Sequence, residues 1–471
     1  RVPPRTQSRT RFLVMPMADT TLPAGPLLAY YGDDFTGSTD VMEAFTLAGV
    51  PTVLFLQAPT PKWVARFAHM RCIGLAGTSR GRSPAWMREH LPAAFASLKA
   101  FGAPLLQYKV CSTFDSSPQR GSIGQAIDLG VPQLPGRWSP MVVGAPRLRR
   151  YQAFGHLFAA MGDVVHRLDR HPTMSRHPVT PMGESDLRLH LARQTARRIE
   201  LIDLVTLKAG QGDAALLAHM GDDVPVVMLD VVDEDTLAEA GRLVWEHRGE
   251  GLFGAASSGL EYALAAHWRR CQALPEPAAL PPAQAVPAIA AISGSCSPMT
   301  AAQIAWATEH GFATERLDVG AVLWPEHREL EIARVLGMAL GALQAGRSPL
   351  IYSAAGPDDP AVTTFAAQAE AAGLSVAEAS ARVGDALAET MRRLVAASGV
   401  RRLAIAGGDS SGAVASALDI AALTVAAQLV PGAPLCRVWS DAPGMDGMEV
   451  VLKGGQMGQA DFFGRVLHGT V

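Results

Sequence analysis

Two adjacent carboxylates, Asp33 and Asp34, stand in Gly32-Asp33-Asp34-Phe35-Thr36-Gly37, between the apolar run Leu27–Tyr31 and a helical pattern. Paired acids at a strand end can bind polyol hydroxyls, act as a general base, or hold Mg2+. A plain turn with Asp capping the next helix uses the same residue types, but Asp40 and Ser38 are available for that capping. A second group follows another apolar run: Tyr108-Lys109-Val110-Cys111-Ser112-Thr113, then Ser116-Ser117-Pro118-Gln119-Arg120-Gly121-Ser122. A strand-end Lys, clustered hydroxyls and an Arg before a helix can grip a carboxylate through charge and helix-start amides. Thr78-Ser79-Arg80 repeats the idea one strand earlier. The segment Arg170–Met182, dense in cations, hydroxyls and prolines, suits a stiff substrate-contacting loop. With His156 and His166 it fits no standard zinc ligand spacing.

Three glycine and hydroxyl turns lie further on: Ser293-Gly294-Ser295-Cys296-Ser297-Pro298, Gly407-Gly408-Asp409-Ser410-Ser411-Gly412 and Lys453-Gly454-Gly455-Gln456-Met457-Gly458. Each follows an apolar strand pattern. Small residues there let backbone amides approach phosphate oxygens, and Lys453 can neutralise more charge. No G-x-x-x-x-G-K-[ST] occurs, so this is not a P-loop protein. Gly210-Gln211-Gly212-Asp213-Ala214-Ala215, with Asp230 after a later strand, imitates a dinucleotide fingerprint. It equally suits a helix between two strands.

The elements that position these groups are short strands alternating with longer helical patterns. Strands are expected at Leu27–Tyr31, Thr52–Leu56, Cys72–Ala76, Leu105–Val110, Met141–Gly144, Glu200–Leu204 and Val226–Asp230. Helices are expected at Ser38–Ala48, Pro84–Lys99, Ser122–Leu129, Glu184–Arg197, Asp233–Trp245 and Ser258–Arg269, with residues 151–183 an irregular insertion. After residues 272–287, a proline-rich linker, the alternation restarts with strands at Ala288–Ile292, Ala313–Leu317, Leu350–Ser353, Leu403–Ala406, Cys436–Trp439 and Glu449–Leu452. The reading is α/β: two doubly wound domains with mostly parallel sheets, residues 27–271 and 288–471, behind a disordered tail at 1–26 in which Met17 could be the true start.

At 471 residues and net charge −3, the chain has room for two cores and no basic field for nucleic acid or an anionic membrane, so a small-molecule partner is expected. No apolar run approaches the ~20 residues of a membrane helix. Five scattered cysteines without CxxC indicate reduced thiols in a cytoplasm.

The Gly32–Gly37 motif, Ser293–Ser297, Gly407–Gly412 and the closing Leu452-Lys453-Gly454-Gly455-Gln456-Met457-Gly458-Gln459-Ala460-Asp461-Phe462-Phe463 resemble the four-carbon acid sugar kinase family, once called DUF1537, over about residues 27–467. The resemblance implies an N-terminal acid-sugar domain, a C-terminal ATP domain, and Mg2+- and ATP-dependent phosphorylation of a terminal hydroxyl on threonate, erythronate or their 3-oxo forms. It makes Asp34, Arg80, Lys109, Val110, Cys111 and Ser112 substrate contacts, joined by Arg120 from the clustered loop, with Asp34 and Lys109 as the candidate catalytic residues. It makes Ser295, Gly407, Gly408, Asp409, Ser410 and Gly455 ATP contacts, and it assigns no residue to the metal. Many members read Lys-x-Asp-Ser-Thr followed at once by Arg-Gly. Here Cys111 replaces the Asp and Phe114–Gln119 intervene, a variant similar to members acting on the branched 3-oxo-isoapionate, which ranks ahead of 3-oxo-tetronate. A homodimer would be common for such an enzyme. The competing readings are an NAD-dependent dehydrogenase built on Gly210–Ala215 and a non-enzymatic acid-sugar sensor.

Overall fold

Short apolar runs rich in Leu, Val, Ile and Tyr, each closed by small or polar residues, become strands because they fit a pleated sheet buried on both faces. In the computed structural model, which describes residues 21–176, 180–277 and 279–470, the first lobe contains β1 (Leu28–Gly32), β2 (Thr52–Phe55), β3 (Cys72–Ala76), β4 (Leu105–Lys109), β5 (Ser139–Met141), β6 (Arg150–Ala153), β7 (His156–Met161), β8 (Val164–Arg167), β9 (Ile199–Ile202), β10 (Val226–Leu229) and β11 (Leu252–Ala256). The second contains β12 (Ala290–Ser293), β13 (Ala313–Arg316), β14 (Pro349–Tyr352), β15 (Arg402–Ala406), β16 (Ala422–Val430), β17 (Ala433–Trp439) and β18 (Glu449–Lys453). The described residues of 272–287 form neither helix nor strand. Among the described residues no helix is long and apolar enough to cross a membrane.

The α/β architecture agrees with the sequence, with one addition. A single twelve-stranded sheet runs through both lobes in the order β11-β4-β1-β3-β2-β16-β17-β18-β15-β12-β14-β13. Pairing is parallel among β11, β4, β1, β3 and β2 and among β18, β15, β12, β14 and β13. Three antiparallel steps, β2 to β16, β16 to β17 and β17 to β18, join the lobes, so the parallel strands of the second run opposite to those of the first.

Three expectations are corrected. Residues 151–183 are not wholly irregular, because β6, β7 and β8 form a small antiparallel sheet; its exposed faces carry Arg and His, which hides the alternation. The helix expected at Glu184–Arg197 shrinks to Leu187–Leu191. Beyond it, Gln194 accepts from the Ile123 amide at 2.8 Å and Thr195 donates to Asp128 at 3.0 Å, polar side chains that compete with helical backbone. The strands β11 and β16 went unforeseen, since LFGAA and ALTVAAQLV carry glycine or alanine where strand formers are expected.

Helix α1 (Phe35–Leu47) is the element both lobes share. It buries Phe35, Val41, Met42 and Phe45, but also Thr36, Ser38, Thr39, Asp40 and Glu43. Phe45 stacks on Trp268 of its own lobe at 5.7 Å. The Phe35 ring meets Gly412 of the other so closely that a Cβ there would lie 3.1 Å from it. Glu43 accepts from the Gly432 amide in the β16–β17 turn at 2.6 Å.

Burial pushes Glu43 up to about 8 from its ordinary 4.5. The folded chain therefore keeps a proton that the unfolded chain releases, and the stability this brings at low pH is lost as pH rises from about 4.5 to about 8. Glu43→Gln, which cannot ionise, should gain unfolding free energy relative to wild type by on the order of 5 kcal/mol across that window, measured by denaturant titration at each pH. A pH-independent difference would show that Glu43 is not the titrating group.

Candidate active site

β1 ends at Gly32, where a Cβ would lie 1.8 Å from Ser38 Oγ, so only glycine fits. Asp34 is itself the N-cap of α1: Oδ1 accepts from the Gly37 amide at 2.7 Å and Oδ2 from Thr36 Oγ1 at 3.0 Å. The expectation that Ser38 and Asp40 would do the capping is overturned. Ser38 Oγ donates to the Asp34 carbonyl at 2.6 Å, and Asp40 turns inward to stand 3.5 Å from Lys109 Nζ.

Arg80, in a tight turn after β3, spans both acids. Nε and Nη2 donate to Asp33 at 3.1 and 2.7 Å, and Nη1 donates to Asp34 at 2.5 Å. Burial pushes Asp33 above its ordinary value even though Arg80 draws it back. For Arg80, burial disfavours the charge, but Asp33 and Asp34 together outweigh it. Lys109, 1% exposed at the end of β4, donates to the Val110 carbonyl at 2.9 Å; burial opposes its charge and Asp40 and Asp33 restore it. Behind it Glu261 is fully buried, and burial pushes it up to about 8. These groups crowd round Gly37: a Cβ there would stand 2.5 Å from Asp34 Oδ1, 3.2 Å from Arg80 Nη2 and 3.3 Å from Lys109 Nζ.

Val110 is buried, its amide donating to the Ala256 carbonyl at 2.9 Å. Cys111 and Ser112 are half-exposed in the following turn. Cys111 Sγ lies 2.9 Å from Thr113 Oγ1, which donates to Asp115 at 2.7 Å, and burial pushes the thiol up. Arg120 is exposed and is held through its backbone, the amide donating to Ser117 Oγ at 3.0 Å.

The three turns of the second lobe meet one another. Ser297 Oγ donates to the Gly455 carbonyl at 2.5 Å, and Thr300 Oγ1 donates to the same carbonyl at 3.1 Å and to Ser295 Oγ at 3.0 Å. A Cβ on Gly407, at φ +118, would stand 3.3 Å from the Ser295 amide nitrogen, and the Gly294 backbone approaches Ser410 so closely that only glycine fits. The side chain of Asp409 lies outside the described residues. Lys453, fully buried, donates to Thr300 Oγ1 at 3.3 Å and to the Gly454 and Gly455 carbonyls at 2.9 and 3.2 Å. With no carboxylate beside it, burial pulls it down to about 7. These turns abut the first lobe: a Cβ on Gly408 would stand 3.6 Å from Asp34 Oδ2, and one on Gly454 3.8 Å from Thr36 Oγ1.

The dinucleotide-like turn is no such site. Gly210 links two short helices, Leu204–Lys208 and Gly212–His219, rather than a strand and a helix. Asp230 accepts from the Phe154, Gly155 and Leu204 amides at 2.5, 3.0 and 3.2 Å, which commits it to its own backbone. In the Arg170–Met182 segment, residues 177–179 lie outside the described residues; His171 Nδ1 accepts from the Thr173 and Met174 amides. Among the described residues no group of three or more His, Cys, Asp or Glu is placed to hold a metal ion. Sequence reasoning missed Glu261 and Thr300 and saw Asp40 only as a cap. Glu261, inside an amphipathic helix, carries no local signal of its role, whereas Asp40 and Thr300 each sit one turn into a helix that opens at a strand end.

A family model described as a sugar-binding N-terminal domain matches residues 28–264, and one described as a nucleotide-binding C-terminal domain matches residues 290–463. The chain is 64% identical over 452 residues to the 3-oxo-isoapionate kinase of Paraburkholderia graminis, covering 96% of each chain. It is 31% identical to the 3-oxo-tetronate kinase of Cupriavidus necator, covering 96% of this chain and 99% of that one. Among solved structures it resembles a Salmonella typhimurium protein titled a putative tRNA synthase, with TM-score 0.74 and 26% identity over 94% of this chain and 99% of that one. It shares its fold with a Haemophilus influenzae protein at TM-score 0.65 and 24% identity, over 93% and 98% of the two chains.

Gly37→Ala should cost about 1 kcal/mol of unfolding free energy, because the new Cβ pushes Asp34 off the helix start. Gly81→Ala, where a Cβ meets nothing within 4 Å, should be neutral. Equal effects in a denaturant titration would show that Asp34, Arg80 and Lys109 do not crowd Gly37.

Proposed function

The chain belongs to the four-carbon acid sugar kinase family and is an ATP-dependent acid-sugar kinase, and from that premise we propose that it phosphorylates a terminal hydroxyl of 3-oxo-isoapionate. The observation that carries this substrate is the 64% identity, over 96% of both chains, to a kinase of that name, against 31% to 3-oxo-tetronate kinases. 3-Oxo-tetronate is the second reading.

In this proposal residues 27–271 receive the acid sugar and residues 288–471 receive ATP, with 272–287 joining them. The sugar's hydroxyl end lies against Asp34, Arg80 and Lys109. Asp34 accepts the proton of the attacking hydroxyl, while Arg80 and Lys109 hold the acids in place and offer N–H donors to the sugar. ATP phosphates lie on the turns of Ser295, Gly407–Ser410 and Gly455, at the start of the helix Gly408–Ala417, where unpaired amides face anions. The abutment of Gly408 on Asp34 supports transfer across the lobe junction, since phosphoryl transfer depends chiefly on positioning and charge neutralisation.

Mg2+ is commonly held by phosphate oxygens, water and one or two carboxylates. The protein donors at the junction do not complete that mode, since both oxygens of Asp34 are already taken by Gly37, Thr36 and Arg80; an ion arriving with ATP would be held by phosphate oxygens and water and would neutralise phosphate charge. A cytoplasmic setting is supported by five free cysteines, two of them buried.

An ADP-release screen over C4 and C5 acid sugars and their 3-oxo forms should show the highest kcat/KM for 3-oxo-isoapionate; a clear preference for 3-oxo-tetronate would replace that assignment. Asp34→Asn should lower kcat at least ~100-fold with ATP affinity retained, and near-normal turnover would remove Asp34 from the chemistry. Phosphate beside Lys453 favours its charged form, so ATP binding takes up a proton and affinity should weaken as pH rises from about 7 to about 9. Calorimetry on Lys453→Met should show that slope flattened; an unchanged slope would place the proton elsewhere.

A further inference from the structure

An acid sugar brings a carboxylate of its own, and the charge cluster around Asp34 is poorly suited to it. Three carboxylates, Asp33, Asp34 and Asp40, already face two cations there, Arg80 and Lys109. A fourth anion would meet net repulsion, so this end of the site suits hydroxyls. The substrate's charge needs a cation that the protein has not already paired.

Arg150 is such a cation, and it lies on the same row of strand ends. β11 pairs with β4, and the Val110 amide at the end of β4 donates to the Ala256 carbonyl at the end of β11. One step further, Ser257 reaches the segment after β5, its amide donating to the Val142 carbonyl at 3.0 Å and its hydroxyl to the Val143 carbonyl at 2.7 Å. That segment closes a tight turn in which the Ala145 amide donates to the Arg150 carbonyl at 2.9 Å and the Arg150 amide to the Ala145 carbonyl at 3.2 Å. Arg150 thereby comes within electrostatic reach of Cys111 and Asp115 on the turn after β4, as of His171, and Cys111 is within such reach of Arg80 and Lys109.

The guanidinium is half-buried and lacks an anion. Nη1 donates to the carbonyls of Leu148 at 3.0 Å, Arg149 at 3.3 Å and Ala160 at 3.5 Å, and the buried Nε has no partner. Among the described residues no carboxylate stands within ion-pair distance of it, and Asp115 acts on it only from further off. Burial accordingly pulls Arg150 below the ordinary arginine value. The neighbouring Cys111, kept as a neutral thiol by burial, does not compete for the charge.

Resting on the acid-sugar kinase reading, we propose that Arg150 binds the substrate's carboxylate, so that the acid sugar extends from Arg150 past Cys111 to Asp34, and that Arg150 selects acids over neutral sugars. The test is ADP release by the full chain on the acid sugar that the wild type turns over and on its primary carboxamide. Arg150→Met should raise KM for the acid roughly 10- to 100-fold, the loss expected for a charge-assisted bond, with KM for ATP and kcat/KM for the carboxamide unchanged. Arg150→Lys should recover part of the loss. An acid KM within about twofold of wild type, or an equal loss on acid and carboxamide, would overturn the proposal. Should Arg150→Met lose its cooperative melting transition, Arg150→Lys carries the same comparison. If the wild type released no ADP with any acid sugar, the kinase reading would fall by itself. Calorimetric binding of the acid to wild type and variant would still read Arg150: weakened binding in the variant supports it, while equal binding or none to either overturns it.

Discussion

Arg80 bridging Asp33 and Asp34 is the interaction on which the rest of the site depends. Two carboxylates side by side at a buried strand end repel one another and lose hydration, and they are tolerable only with a cation forked between them. The fork holds Asp34 in extended backbone, where its carboxylate can cap α1 and lie against the helix's positive end. Lys109 and Asp40 repeat the arrangement one turn deeper. A functional acid and a structural cap are thus the same group, because the geometry that exposes Asp34 to a ligand is also the one that starts the helix.

From that start, α1 runs between the lobes. A helix covered on most of its surface cannot be merely amphipathic, and its polar residues need specific partners. Glu43 meets the Gly432 amide, Phe35 packs on Gly412, and the second lobe's glycine turns come up against Asp34 and Thr36. At these points of close approach the junction works because glycine occupies one side. The shared sheet reinforces it through two residue pairs between β2 and β16.

Charge is divided along the site. The Asp33–Asp34–Asp40 end is acidic on balance, the Lys453 end is cationic but held near neutrality by burial, and Arg150 stands apart with no anion. An anionic sugar and an anionic nucleotide can share a small junction only when their charges are received at different places. This distribution provides such places.

Strand ends, helix starts and glycine turns were legible in the chain because they are local: apolar runs, small residues at fixed offsets, and the motif order that marks the family. Asp34, Arg80, Lys109, Ser295, Gly407 and Gly455 could be singled out on that basis alone. Which cation neutralises which acid could not. Arg80 lies 46 residues from Asp34, Glu43 lies 389 residues from Gly432, and pairing of β2 with β16 leaves no mark in either segment. Arg150 drew no notice, standing just before the segment 151–183 that was expected to be irregular. Its lack of a partner is a property of what folding places around it, since an unsatisfied charge is defined by distance and burial, and a sequence specifies neither until the chain has closed on itself.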